Sequence, residues 1–298
     1  MKNPLPLAGE GLGEGGVIKR STLNRLRNIE GFLFDNDGTL VLGNRDNTGF
    51  EALPGAVRFL KYLSKKDMPY AVLTNGTVRT AVEYASKLQA IGLPVDASSM
   101  LTPSSVAAEY FSRSRYRRIM VLGCPGVWRP LADAGLDIVL SSERQPGRVD
   151  AVYFGWYREF TMHDLEAAVY AVLDGAVPYN ASDAPFFATA QGRGIGTSCA
   201  IAAMLKSMTG KNARILGKPS LEALRCAGRR IGVPLKNLAV VGDDPDLEVP
   251  MAHKGRSLSV YVHTGTGDGD AFRAGSRAGA RPPDISVAGI RELMDLLI

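Results

Sequence analysis

Two aspartates, Asp35 and Asp37, end a short apolar run in the stretch GFLFDNDGTL, residues 31–40, and a glycine follows them at once. Carboxylates in this setting can hold a hard cation, attack an electrophilic centre, or pass a proton. One extended residue separates the two, so their side chains leave the chain on the same side. Gly38 permits the tight turn that brings both to one point, and Thr39 can hydrogen-bond locally to hold it. For these residues alone, a solvated turn is the plain alternative. A calcium loop is excluded, because with Gly38 as its glycine the first ligand position falls on Leu33 and the last on Asn44.

Three other apolar runs end in the same manner. PYAVLTNG ends on Thr74 and Asn75, ARILGKPS on Lys218, and LAVVGDDPDLEV on Asp243, Asp244, Asp246 and Glu248. Unbroken apolar runs suit strands of a parallel sheet covered on both faces, and such sheets bind ligands beyond the carboxyl ends of their strands. Four strand ends in one parallel sheet therefore face one crevice. There, carboxylates would hold a hard cation while hydroxyl, backbone N–H and ammonium groups meet phosphate oxygens.

The elements that must position these groups alternate strand with helix. Pro54-Gly55 opens a helix carrying Val57, Leu60 and Leu63 at helical spacing, after a loop through Asn44 and Asn47. A second helix closes at Gly92, and TPSS at 102–105 signals a third start. From Arg118 the strands IMVLG, DIVL and AVYFGW alternate with helices near Leu131 and Thr161, and PYNASD and GRGIGTS follow, the latter read as a hinge. The last third adds a helix after Lys218, the strand SVYVHTG, and an amphipathic helix over about 287–297. The fold class is α/β, a doubly wound parallel-sheet core with an inserted α/β domain. We expect a disordered extension at 1–20, a core from 21–105 and 211–298, and the insertion at 106–210. The G-x-G-x-x-G of Gly11, Gly13 and Gly16 has no strand before it and no helix after it, so it is not a dinucleotide site.

The chain has 298 residues, is 45% hydrophobic and 22% charged, and carries a net charge of +5, as an ordinary globular protein does. No apolar run reaches membrane-spanning length and the start lacks a signal-peptide pattern, so no membrane partner and a cytoplasmic location are expected. Cys124, Cys199 and Cys226 are far apart and odd in number, which favours reduced thiols over disulfides or zinc. The basic run Arg113 to Arg118 reads as a solvated helix end, and no nucleic-acid partner is expected. His163 reads as covering a helix start; His253 and His263 lack metal-ligand spacing.

The motifs DNDGT at 35–39, LTNG at 73–76, GKPS at 217–220 and VGDDPDLE at 241–248, in this order and each at a strand end, resemble those of the haloacid dehalogenase superfamily of phosphatases. Fewer than forty residues separate Asp37 from Thr74, and well over a hundred separate Thr74 from Lys218. The insertion thus lies where the class IIA branch carries its α/β cap, and that branch includes p-nitrophenyl phosphatase, phosphoglycolate phosphatase and nucleotide phosphatases. LGCPG, GWYREFT and PYNASD resemble segments of such caps.

The resemblance implies a magnesium-dependent phosphatase acting on a small phosphorylated metabolite: a sugar phosphate, phosphoglycolate, a nucleotide or an aryl phosphate. Asp35 would be the nucleophile that becomes an aspartyl phosphate, and Asp37 the general acid and base. Thr74 and the backbone of Asn75 would bind the transferring phosphoryl group and Lys218 would neutralise it, while Asn180 and Asp183 would reach substrate from the cap. Mg2+ would sit on Asp35, the Asp37 carbonyl and Asp243, with Asp244 and Glu248 in support. A homodimer through the cap fits the resemblance. Asn36 departs from the pattern, since relatives usually carry an apolar residue there. The rival readings are a catalytically silent binding or regulatory protein on this fold, which the intact acid, hydroxyl and lysine positions oppose, and a nucleic-acid-associated protein.

Overall fold

A computed structural model describes residues 18–43, 49–143, 147–189, 192–265 and 281–298. The chain enters through α1 (Arg20–Arg27), β1 (Gly31–Asp35), the hairpin β2 (Val41–Gly43) and β3 (Phe50–Ala52), α2 (Ala56–Lys65), β4 (Tyr70–Leu73) and α3 (Ala81–Ala90). It continues through β5 (Met100–Leu101), α4 (Pro103–Arg113), β6 (Arg118–Leu122), α5 (Pro125–Asp133), β7 (Asp137–Leu140), β8 (Ala151–Phe154) and α6 (Met162–Leu173). Next come β9 (Val177–Asn180), a second hairpin β10 (Phe186–Thr189) and β11 (Gly192–Ile195), α7 (Thr197–Thr209), β12 (Arg214–Ile215) and α8 (Leu221–Ile231). The last elements are β13 (Leu238–Gly242), α9 (Glu248–Gly255), β14 (Leu258–Val262), β15 (Ile285–Val287) and α10 (Ile290–Leu297).

Two parallel sheets organise these elements. The first has the order β15-β14-β13-β1-β4-β5 and the second β12-β9-β8-β6-β7. In the first sheet Phe34 aligns with Val241 on one side and Val72 on the other, and Asp35 with Leu73. This register puts the ends of β1, β4 and β13 level. All five residues of β1 are buried. Phe32 and Phe34 stack at 5.3 Å on one face, and Phe59 of α2 meets them edge-on at 5.5 and 5.8 Å. Such aromatic pairs add about 0.5–1.5 kcal/mol each beyond their area burial, which fixes the strand that carries Asp35. Leu33 points to the opposite face, into an apolar cluster continuous with Ile119, Val121 and Tyr153 of the second sheet through α4 and α8.

Helix starts follow their sequence signals. Thr80 and Glu83 form a reciprocal cap on α3, Thr102 and Ser105 on α4 with Pro103 in its first turn, and Thr161 and Asp164 on α6. The α6 cap is therefore Thr161 with Asp164, while His163 is exposed.

Several expectations are corrected. The strand before Lys218 does not join the first sheet: β12 pairs with β9 at the edge of the second, Arg214 opposite Tyr179. The boundary expected at 105/106 falls inside α4, and that at 210/211 lies before a strand of the second sheet; we propose that the cap extends through β12. GRGIGTS is not a hinge but a hairpin strand running into α7. Val287 closes an edge strand, and the terminal helix starts at Ile290. The segment read as a loop after Asp37 contains the β2–β3 hairpin, with Val41 opposite Ala52. Residues 1–17, with Gly11, Gly13 and Gly16, and Asn44 and Asn47 lie outside the described residues. Arg117 donates to the carbonyls of Ser114 and Tyr116, and Arg118 pairs with Asp137, so half of the basic run is engaged within the fold. Among the described residues no helix is long and apolar enough to cross a membrane.

Candidate active site

β1 delivers Asp35 and the loop after it delivers Asp37. Asn36 turns that loop back, its carbonyl accepting from the N–H groups of Leu40 and Val41 at 3.0 Å each. Gly38 holds φ at 82°, and a Cβ there would lie 2.2 Å from Oδ2 of Asp243. A Cβ on Gly265, beyond the end of β14, would lie 2.0 Å from the same oxygen. Two glycines from separate loops thus form a cradle for the Asp243 carboxyl. Thr39 Oγ1 donates to Asp243 Oδ1 at 3.4 Å, and Thr264 Oγ1 donates to the Gly38 carbonyl at 2.6 Å, tying the loops together.

Lys218 arrives from the second sheet. Leu216 N–H and Gly217 N–H extend the β12–β9 pairing onto the carbonyls of Asn180 and Ala181 at 2.9 and 3.1 Å, and the chain then crosses to the crevice. The side chain of Asn75 receives it: Lys218 N–H donates to Asn75 Oδ1 at 2.8 Å, and Asn75 Nδ2 donates to the Lys218 carbonyl at 3.2 Å. The Lys218 ammonium, 3% exposed, pairs with Asp35 and, at 2.7 Å, with Glu248 Oε1. Glu248 Oε2 accepts from Asp244 N–H at 3.1 Å, so the first residue of α9 serves both as a cap for its own turn and as a counter-charge. Thr74 Oγ1 donates to Asp37 Oδ2 at 3.3 Å and accepts from Gly76 N–H at 3.0 Å.

Among the described residues, acids outnumber the one ammonium in this cluster, and their protonation reflects it. Burial, then the charges of Asp35 and Glu248, push Asp243 up to about 9. Burial pushes Glu248 up to about 7, against Lys218, which holds it down. Asp37 faces the open crevice but lies deep in the molecule; this surrounding and the charge of Asp35 raise it, while Asn36, Lys218 and Thr74 draw it down. Burial works against the charge of Lys218, but Asp35 and Glu248 outweigh it and keep the amine an ammonium. The Asp35 and Asp243 carboxyls lie close enough to repel one another when both are charged.

The arrangement fits a hard divalent cation. Two facing carboxylates, one of them cradled by glycines that leave no room for a side chain, carry more negative charge than Lys218 offsets. Among the described residues no three His, Cys, Asp or Glu side chains form a ready ligand set. Two carboxylates and a backbone carbonyl would suit magnesium, which keeps several waters of its own.

Asp35, Asp37, Thr74, Asn75, Lys218 and Asp243 are thus brought together. Asn180 is not among them: it is 2% exposed, and its Oδ1 accepts from Ser182 N–H at 3.1 Å, shaping the cap loop rather than the crevice. Asp183 is exposed on that loop. Ser182 does reach the site, accepting from Asn75 Nδ2 at 3.4 Å. The cap also rests on the loop after Thr74, with Trp156 N–H donating to Thr77 Oγ1 at 2.9 Å and the Cys124 thiol facing the Thr77 carbonyl at 3.5 Å. Sequence reasoning gave no role to Thr264, Gly265 or Tyr84. The HTG at the end of an apolar strand was an available signal for the first two. Tyr84, whose hydroxyl fills the space beside Gly76, carried none.

A family model described as haloacid dehalogenase-like hydrolase matches residues 32–137, and one described as HAD-hydrolase-like matches 215–293. The acid sugar phosphatase of Staphylococcus haemolyticus is 26% identical over 242 residues, which is 80% of this chain and 87% of that protein. Among solved structures, 4-nitrophenylphosphatase from Thermotoga maritima superposes with a TM-score of 0.80 at 24% identity, covering 92% of this chain and 99% of that one. Glycerol phosphate phosphatase from Mycobacterium tuberculosis, solved in complex with magnesium, gives 0.76 at 26% identity over 90% of this chain and 77% of that one.

Proposed function

We propose that this chain, which belongs to the haloacid dehalogenase-like hydrolases and is a phosphatase of their class IIA branch, hydrolyses a small alkyl phosphate with magnesium through a phosphorylated Asp35. The observation that carries this reading is the division of labour between the two aspartates. Asp35 is held by Lys218, and Asp37 by Thr74. Asp35, paired with the Lys218 ammonium, attacks the phosphoryl group, and Lys218 offsets the repulsion between two anions. Asp37, raised by its surroundings and by Asp35, carries the proton for the leaving oxygen, then draws one from the water that cleaves the aspartyl phosphate. Thr74 and the N–H groups of its turn steady the transferring oxygens. Asp35, the Asp37 carbonyl and Asp243 would hold Mg2+, whose charge supplies Lewis-acid neutralisation of the phosphoryl oxygens.

The alkyl preference is supported by relatives that act, by name, on sugar phosphates and glycerol phosphate. The cytoplasm belongs to the same proposal, supported by three unpaired cysteines. So does the homodimer, for which Met162, Tyr170 and Leu173 of the cap helix offer exposed apolar surface; sedimentation velocity tests it. For the activity, phosphate release is measured on sugar phosphates, glycerol phosphate, phosphoglycolate, nucleotides and p-nitrophenyl phosphate, with and without magnesium, for wild type and Asp35→Asn. Metal-dependent turnover of an alkyl phosphate, lost in the variant, is the expected result. Turnover that survives Asp35→Asn, or that ignores chelation, overturns it.

A further inference from the structure

Asn36 stands between the two aspartates and is fully buried, yet neither its Nδ2 nor its Oδ1 has a hydrogen-bond partner among the described residues. A buried amide with both ends unmatched is a standing cost that an apolar residue of the same size would not carry. The backbone cannot shed it, because the Asn36 carbonyl is fixed by Leu40 and Val41 and Asp37 bridges to Val41. The amide lies beside the Asp37 carboxyl without a well-formed hydrogen bond to it. Thr74 is a loose partner for that carboxyl at 3.3 Å. A polar group that is unmatched at rest and adjoins a loosely held acid gains its partner when the acid is drawn into place.

We propose that Asn36 is a positioning residue for Asp37: in the reacting complex its amide closes a hydrogen bond on the Asp37 carboxyl and aims it at the leaving oxygen. This rests on the reading of Asp37 as proton donor. No bond to Asn36 is made or broken; the proton passes from Asp37 to the leaving oxygen as the P–O bond breaks, and Asn36 fixes only where it starts. The contribution is therefore confined to leaving groups that need the proton. An alkoxide departs poorly without one, whereas p-nitrophenolate departs without help.

The test compares Asn36→Leu with wild type by kcat/KM, which reports the first phosphoryl transfer, on glycerol phosphate or a sugar phosphate and on p-nitrophenyl phosphate. Asn36→Leu should lose about tenfold on the alkyl substrate and less than about twofold on the aryl one. Its melting temperature should be no lower than that of wild type, since two unmatched polar atoms leave the interior. An equal loss on both substrates, or no loss on either, overturns the proposal. Asp37→Asn is run beside it. If that variant also fails to distinguish the leaving groups, the reading of Asp37 falls with it; if it distinguishes them while Asn36→Leu does not, only the role of Asn36 falls.

Discussion

Replacing Asn75 by alanine should damage the site through Lys218 rather than through substrate. The Asn75 side chain makes two hydrogen bonds to the Lys218 peptide, at 2.8 and 3.2 Å, and a weaker one to Ser182 at 3.4 Å. Asn75→Ala leaves a peptide N–H and C=O unpaired beside a side chain that is 3% exposed. Each orphaned buried group costs about 1–3 kcal/mol, and because Asn75 is only half-buried, water reaches part of the gap, which puts the total near the low end, about 2 kcal/mol. At roughly 2–4 °C per kcal/mol for domains somewhat smaller than this chain, melting should fall by about 4–8 °C. The Lys218 ammonium must meet Asp35, and a backbone drift on the order of 1 Å at such a contact costs up to about 100-fold, so kcat/KM should fall by about 10- to 100-fold. Asn75→Asp keeps the acceptor for the Lys218 N–H but sets a second oxygen against the Lys218 carbonyl, and should do no better. Differential scanning fluorimetry and phosphate release read both quantities. An alanine variant that melts within about 1 °C of wild type but loses activity would place Asn75 on the substrate and refute the clamp. One unchanged in both would refute any role.

Other outcomes follow from the same geometry. Gly38→Ala forces a Cβ against the Asp243 carboxyl at a φ that side chains rarely adopt, so magnesium affinity by calorimetry should weaken at least tenfold; unchanged affinity would mean that the cradle does not matter. The Asp164 carboxyl lies below its ordinary range: burial opposes its charge, but hydrogen bonds from Ser141, at 2.6 Å, and Thr161 prevail. The stability it contributes is present above about pH 4 and is lost as pH falls through its lowered value. Asp164→Ala should therefore cost about 1–2 kcal/mol at pH 7, with the gap from wild type narrowing below pH 4, and a gap constant to pH 3 would contradict the assignment. Burial, then Glu109, push the Cys226 thiol up to about 12, so in the folded protein it should resist iodoacetamide at pH 8 until denaturant is added; rapid native alkylation counts against this.

The sequence alone determined the chemistry and its order along the chain. Short unbroken apolar runs ending in Asp35 and Asp37, Thr74 and Asp243 need only local information, because a strand buried on both faces must be apolar and its end must meet the crevice. The spacing from Thr74 to Lys218 likewise required an inserted unit. Tertiary structure decided which sheet each strand joins and what each polar side chain contacts. ARI, too short to declare its neighbour, pairs with β9 and brings Lys218 to the site from the cap side. Asn75 binds the Lys218 peptide, Asn180 is occupied by its own loop, and Glu248 shares the ammonium with Asp35. These pairings join residues as many as 183 positions apart, as between Asp35 and Lys218, and no local pattern encodes them, because the partner of a buried charge is set by whichever elements the packing makes adjacent.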